Sequence, residues 1–180
     1  WGGTYFRKED WKKEILGLAS IYKKDPNRVI EFADRLTLGI QQVENLGMNM
    51  QDADFTWQDL DNMVDAWGER FDNREGGSDG APKFPMPNTY SFLLKYAHLA
   101  KNTDILDHIE LTLDKMAFGG IYDQIGGGFA RYSVDNSWKV PHFEKMLYDN
   151  AQMVSLYSEA YLKFRNPLYK EIVFETLEFV

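Results

Sequence analysis

The sequence predicts a mainly α-helical chain of stacked helical hairpins, and three observations carry that prediction. Apolar residues recur three and four positions apart in one segment after another, which lines one face of an α-helix. From Thr56 onward, long and short connections between these segments alternate, as stacked hairpins require. One glycine-rich stretch, GGIYDQIGGGFARYSVDNSWKVPHFEKMLYDNA (119–151), interrupts the pattern, and nothing else in the chain reads like it.

Trp1 to Phe6 is short and aromatic after a Gly-Gly pair and reads as one edge strand. Trp11, Ile15, Leu18 and Tyr22 mark a first helix. Asp25-Pro26 starts a second, with aspartate as the cap and proline at the first helical position. That helix carries Ile30, Ala33, Leu36, Ile40 and Val43 and ends near Gly47; the polar residues 48–55 follow as a linker between domains. Thr56, with Asp59 three residues on, caps a third helix striped by Leu60, Val64, Trp67 and Phe71. The glycines and prolines of 72–88 forbid helix. Asn88 then caps a fourth helix (Tyr90, Leu93, Leu94, Ala97), and a fifth runs from Thr103 with Ile105, Ile109, Leu113 and Met116 on one face. A sixth is expected from Pro141 to about Phe164, and Pro167 opens a seventh that the end of the chain cuts short.

Composition narrows the function. With 44% hydrophobic and 15% aromatic residues the chain can bury a substantial core. A net charge of −8 and the lack of any Lys/Arg cluster argue against nucleic acid, and no apolar run is long enough to span a bilayer. There is no cysteine and the three histidines are dispersed, so neither a metal site nor a cofactor is expected, and a reducing, cytoplasmic setting fits.

Within the glycine-rich stretch, Gly119-Gly120 terminates the fifth helix, and Phe129–Ser133 is expected to pair with Ser137–Val140 as a β-hairpin turning at Asp135-Asn136. Three consecutive glycines allow close approach of a ligand or a helix. In a helix from Pro141, His142 and Glu144 occupy the first turn. His142, Met146, Asn150, Met153 and Tyr157 line one face; Glu144, Leu147, Ala151 and Leu162 line the other, so the helix should be buried on both sides. Glu144 then needs a partner, for which Arg131 is expected, while Lys145–Asp149 forms a surface pair. Each residue also has a plain structural reading: His142 packing, Glu144 satisfying helix-start amides, Asp123, Arg131 and Asp135 stitching the hairpin. His98 and His108 read as helix-surface residues, His108 beside Asp104.

Four stretches in order, GGTYF, GAPKFP, GGIYDQIGGGFARYSVDNSW and VPHFEKMLYDNAQ, resemble the spermatogenesis-associated protein 20 family across essentially the whole chain. The resemblance implies an N-terminal thioredoxin-like domain followed by an (α/α)6 toroid related to six-hairpin glycosidases and N-acylglucosamine 2-epimerases. Residues 1–47 would then be the end of the thioredoxin-like domain plus connector helices, 48–55 a linker, and 56–180 the first, truncated part of the toroid. The chain departs from the family pattern at Arg7, where proline is common, at Ser78-Asp79-Gly80, where Gly-Phe-Gly is frequent, and at Ala130, where histidine is frequent.

The resemblance places Lys83, Asp123, Arg131, Tyr132, His142, Glu144 and Asp149 near the toroid cavity. In one reading the full-length protein is a carbohydrate-active enzyme of hydrolase or epimerase type. Asp123 or Glu144 would be its general acid or base, His142 a proton shuttle, Arg131 and Lys83 anchors, and Tyr122, Phe129, Tyr132 and Trp138 a floor for a sugar or other small molecule. This chain alone would be inactive, lacking the rest of the toroid and the upstream redox domain. In the other reading, the toroid is a noncatalytic binding or scaffold module serving the thioredoxin-like domain. A stacking floor favours the first and a salt-bridged, filled cavity the second.

Overall fold

The computed structural model describes residues 6–44 and 55–180, and the chain divides into two compact units, Trp1–Asp54 and Phe55–Val180. The described residues form seven helices and only isolated β-bridges. Apart from Phe6, the expected opening strand lies outside the described residues, as do the end near Gly47 and most of the linker.

In the first unit, α1 (Lys8–Lys24) and α2 (Pro26–Glu44) pack on each other. Asp25 joins them, its carboxylate accepting the Arg28 amide at 3.1 Å as an N-cap does. No residue of α1 is buried. The stripe at Ile15, Leu18 and Tyr22 is therefore still exposed.

The second unit holds α3 (Trp57–Gly68), α4 (Pro87–Ala100), α5 (Thr103–Phe118), α6 (Leu147–Phe164) and α7 (Pro167–Phe179). Thr56 and Asp59 make the expected capping box on α3. Trp67 meets Phe92 edge-on at 5.8 Å, and the Tyr96 hydroxyl donates to Asp61 at 2.6 Å, so α3 lies on α4. The hairpins α4–α5 and α6–α7 pack together through α4 and α6. Leu93, Ile109, Leu113, Met116, Leu156, Tyr157, Tyr169 and Ile172 fill the interior, all residues that the three-and-four spacing turns inward. Buried hydroxyls find partners: Tyr157 donates to the Leu113 carbonyl (2.8 Å) and Tyr169 to Asp114 (2.8 Å).

Four expectations are corrected. Pro87 rather than Asn88 opens α4, behind Met86 in a left-handed conformation. His108 is buried, its ring stacked on Phe71 at 3.9 Å and within 3.4 Å of the Tyr90 hydroxyl; the long 69–86 loop folds over a helix face that would otherwise be surface. The β-hairpin is absent as a ladder. Residues 131–134 do run against 140–144, in a different register from the one expected, through Val134 N to Val140 O, His142 N to Tyr132 O and Arg131 N to Glu144 O. Ser133 also bridges Lys83, so the segment is shared between two partners. Lastly, α6 begins at Leu147, six residues later than Pro141, with 141–146 held out of the helix in those same cross-loop bonds. With that shift α6 buries one side: Asn150, Met153, Leu156, Tyr157 and Ala160 are interior, while Leu147 and Leu162 are exposed.

Candidate functional site

The two long loops, 69–86 and 119–146, lie together at one end of the hairpins. Asp135 ties the second loop's tip, accepting the Ser137 amide at 2.7 Å and the Val140 amide at 2.5 Å. Trp138 projects back into the first loop, wholly buried, and its indole N–H donates to the Glu75 carbonyl at 2.8 Å. Gly77 must be glycine beneath it: φ is 74°, and a Cβ there would lie 2.6 Å from the Trp138 ring.

Each loop carries a lysine–aspartate clasp. In the first, Lys83 donates to Asp72 Oδ2 (2.5 Å) and the Gly76 carbonyl (2.7 Å). Burial would raise the Asp72 carboxyl, but the Lys83 hydrogen bond, the Glu75 and Arg74 amides and the Lys83 charge outweigh it and hold it at about 2. In the second, Lys145 donates to Asp123 Oδ2 (2.6 Å) and the Gly127 carbonyl (2.7 Å). That lysine, followed by the Gly126 and Ile125 amides, keeps the Asp123 carboxyl far below the ordinary range. The expected Lys145–Asp149 pair is replaced by this longer-range one.

Above the clasps, three rings form a stepped platform. Phe84 lies 4.8 Å from Tyr132, and Tyr132 stacks on His142 at 4.7 Å. His142 Nδ1 is 3.6 Å from Glu144 Oε2, and both side chains are about half exposed. Beside Phe84 opens a cleft of about 220 Å³ lined by Arg131, Asp149, Asn88 and Gln152 over Phe129 and Met153. Burial pushes the Asp149 carboxyl up, the Arg131 charge pulls it back, and Glu144 pushes it up again.

Of the residues singled out from the sequence, Arg131, Tyr132, His142, Glu144 and Asp149 therefore share one region of the surface. Lys83, Tyr122 and Trp138 do not join them: all three are buried, Lys83 and Trp138 between the loops, Tyr122 donating to Glu175. Phe129, expected in the floor, is buried beneath the cleft. Asp123, expected as acid or base, is an ionised clasp residue with both oxygens engaged. Glu144 is not the buried partner of an Arg131 side chain; they are joined through the Arg131 amide and the Glu144 carbonyl at 2.8 Å. Sequence reasoning passed over Phe84, Asn88 and Gln152. Phe84 carried a signal, an aromatic residue in the KFP turn flanking the loop. Among the described residues no cluster of three His, Asp or Glu could hold a metal ion, and no helix is long and apolar enough to cross a membrane.

No family model matches the chain. Human spermatogenesis-associated protein 20 is 34% identical to it over 190 residues, 99% of this chain and 24% of the human protein. The mouse protein of the same name is 34% identical over 199 residues, with the same shares covered. The chain thus spans about a quarter of the length of the curated relatives it matches.

Proposed function

As this chain belongs to the spermatogenesis-associated protein 20 family, we propose that it contributes to a full-length protein the loop end of a helical toroid that binds a saccharide. Residues 1–47 would end a thioredoxin-like domain with its connector helices, 48–55 would link it, and 56–180 would begin the toroid. The observation that carries the reading is the platform of Phe84, Tyr132 and His142 next to a cleft holding Arg131 and Asp149. Aromatic faces suit the apolar face of a sugar ring, while the cleft's amides, guanidinium and carboxylate suit its hydroxyls.

The chemistry proposed is hydrolysis or epimerisation. Asp149, the carboxyl whose affinity for a proton is raised, serves as the acid; Glu144, with His142 beside it, serves as the base. Asp123 takes no part in proton transfer, since Lys145 and two amides hold it ionised. The noncatalytic alternative draws on the two salt-bridged clasps, which engage Lys83 and Asp123, two of the polar residues expected to meet a ligand, with partners inside the chain.

The test is a titration of the chain with methyl glucoside and N-acetylglucosamine, followed by amide chemical shifts. Shifts should concentrate at Phe84, Arg131, Tyr132 and Asp149. Tyr132→Ala should weaken them about tenfold, the worth of one aromatic contact. Millimolar sugar that shifts nothing, or only residues elsewhere, refutes saccharide binding at this cleft.

A further inference from the structure

The glycine-rich stretch reads as unique in the chain, yet its clasp has a twin. FDNREGGS (71–78) and YDQIGGGF (122–129) share an aromatic-Asp pair, a Gly-Gly pair four residues beyond the aspartate, and a common geometry. In each, Oδ1 of the aspartate accepts the amides two and three residues on: Arg74 and Glu75 at 2.9 Å, Ile125 and Gly126 at 3.0 Å. Each is closed by a bridge, Phe71 to Ser78 and Tyr122 to Phe129. Both glycine pairs are left-handed, with φ of 68° and 74° against 67° and 80°. In each, a later lysine donates to Oδ2 and to the first glycine's carbonyl, and an aromatic ring lies near that lysine. The ring is Trp138 at 5.5 Å in the first and Phe179 at 4.3 Å in the second.

The copies differ in two respects. The lysine follows its aspartate by 11 residues in the first and by 22 in the second. The longer span carries Tyr132, Trp138, His142 and Glu144. The first clasp is also sealed, with side-chain exposures of 1% for Lys83 and 12% for Asp72, whereas Lys145 and Asp123 are 23% and 39% exposed.

We infer that the two clasps are copies of one unit and that in the second copy Lys145 is the positioning residue of the cleft. The inference rests on the functional reading of that cleft. Left to local preference, PHFEKMLY would continue α6 back to Pro141, since proline suits the first helical turn. Lys145 instead reaches across to Asp123 and Gly127, and the non-helical backbone that results lets Arg131 N bond Glu144 O and His142 N bond Tyr132 O. That conformation sets His142 on Tyr132. The lysine touches neither the platform nor the cleft; it acts through the segment that does.

The experiment compares Lys145→Met, Lys145→Arg and Lys83→Met in the whole 180-residue chain, without ligand, by amide exchange, Cα chemical shifts and denaturation midpoint. In Lys145→Met the Arg131 and His142 amides should exchange at least about tenfold faster and residues 141–146 should shift toward helix, with α4 and α5 protection unchanged. Lys145→Arg, which keeps a cationic donor for Asp123, should retain more of that protection. Lys83→Met should lower the midpoint of the whole unit. Two results would overturn the inference: Arg131 and His142 exchange within about twofold of wild type in Lys145→Met, or a midpoint loss matching or exceeding that of Lys83→Met, unfolding included. Because no sugar is used, failure of saccharide binding leaves this outcome to be decided on its own.

Discussion

Replacing Lys83 by methionine should destabilise the second unit severely. The Lys83 side chain is 1% exposed, and its ammonium is bound to Asp72 at 2.5 Å and to the Gly76 carbonyl at 2.7 Å. Methionine fills much the same volume, so packing changes little and the loss is electrostatic. Removing one member of a buried pair costs about 3–5 kcal/mol. Asp72 keeps its bonds from the Arg74 and Glu75 amides and is 12% exposed, which points to the lower end. The Gly76 carbonyl, buried and deprived of its donor, adds about 1 kcal/mol. The expectation is therefore about 3–4 kcal/mol, read from urea unfolding of the whole chain with the transition followed at the α4 and α5 amides. Adding Asp72→Asn should recover part of the loss, because the uncompensated charge disappears. A change below about 1 kcal/mol, or the same Lys83→Met cost with and without Asp72→Asn, would refute the buried-pair reasoning.

Two further outcomes follow from the same loops. Burial depresses His108 from its ordinary value to about 4, with Asp72 opposing and Lys83 adding to the effect. The unfolded chain thus takes up a proton that the fold refuses. The stability this represents is complete above about pH 6.5 and is lost as pH falls toward 4. His108→Phe should flatten the stability profile across that window, and an unchanged slope from pH 6.5 to 4 would count against a buried neutral imidazole. Gly127→Ala should lower stability by more than about 1 kcal/mol, since φ is 67° and a Cβ would collide with the Glu175 carbonyl of α7. Thermal melts equal to wild type would show that α7 does not press on the glycine loop.

The helices were legible because their determinants are local. Val64 in α3, Leu93 and Ala97 in α4, and Ile109 and Leu113 in α5 are buried where the three-and-four spacing put them. Thr56 with Asp59 caps α3 through bonds spanning three residues. The doubled clasp was passed over: an aromatic residue, aspartate and a Gly-Gly pair four positions on recur after 51 residues, but different loop lengths disguise the match, and the lysine that closes each copy is found only in the fold. What the sequence by itself determined is therefore this set of short-range features, the apolar helix faces, the caps at Asp25 and Thr56 and the breaks between helices. Their energies are set by neighbours within about one turn. Only the tertiary structure decided the rest. It buried His108 under Phe71 and took Lys83, Tyr122 and Trp138 inside. It also drew 141–146 out of α6, leaving His142 and Glu144 at the surface. Each was settled by a partner far along the chain, such as Asp123 for Lys145 or Glu75 for Trp138. Charged hydrogen bonds to such partners outweigh the few tenths of a kcal/mol per residue by which local propensity favours helix.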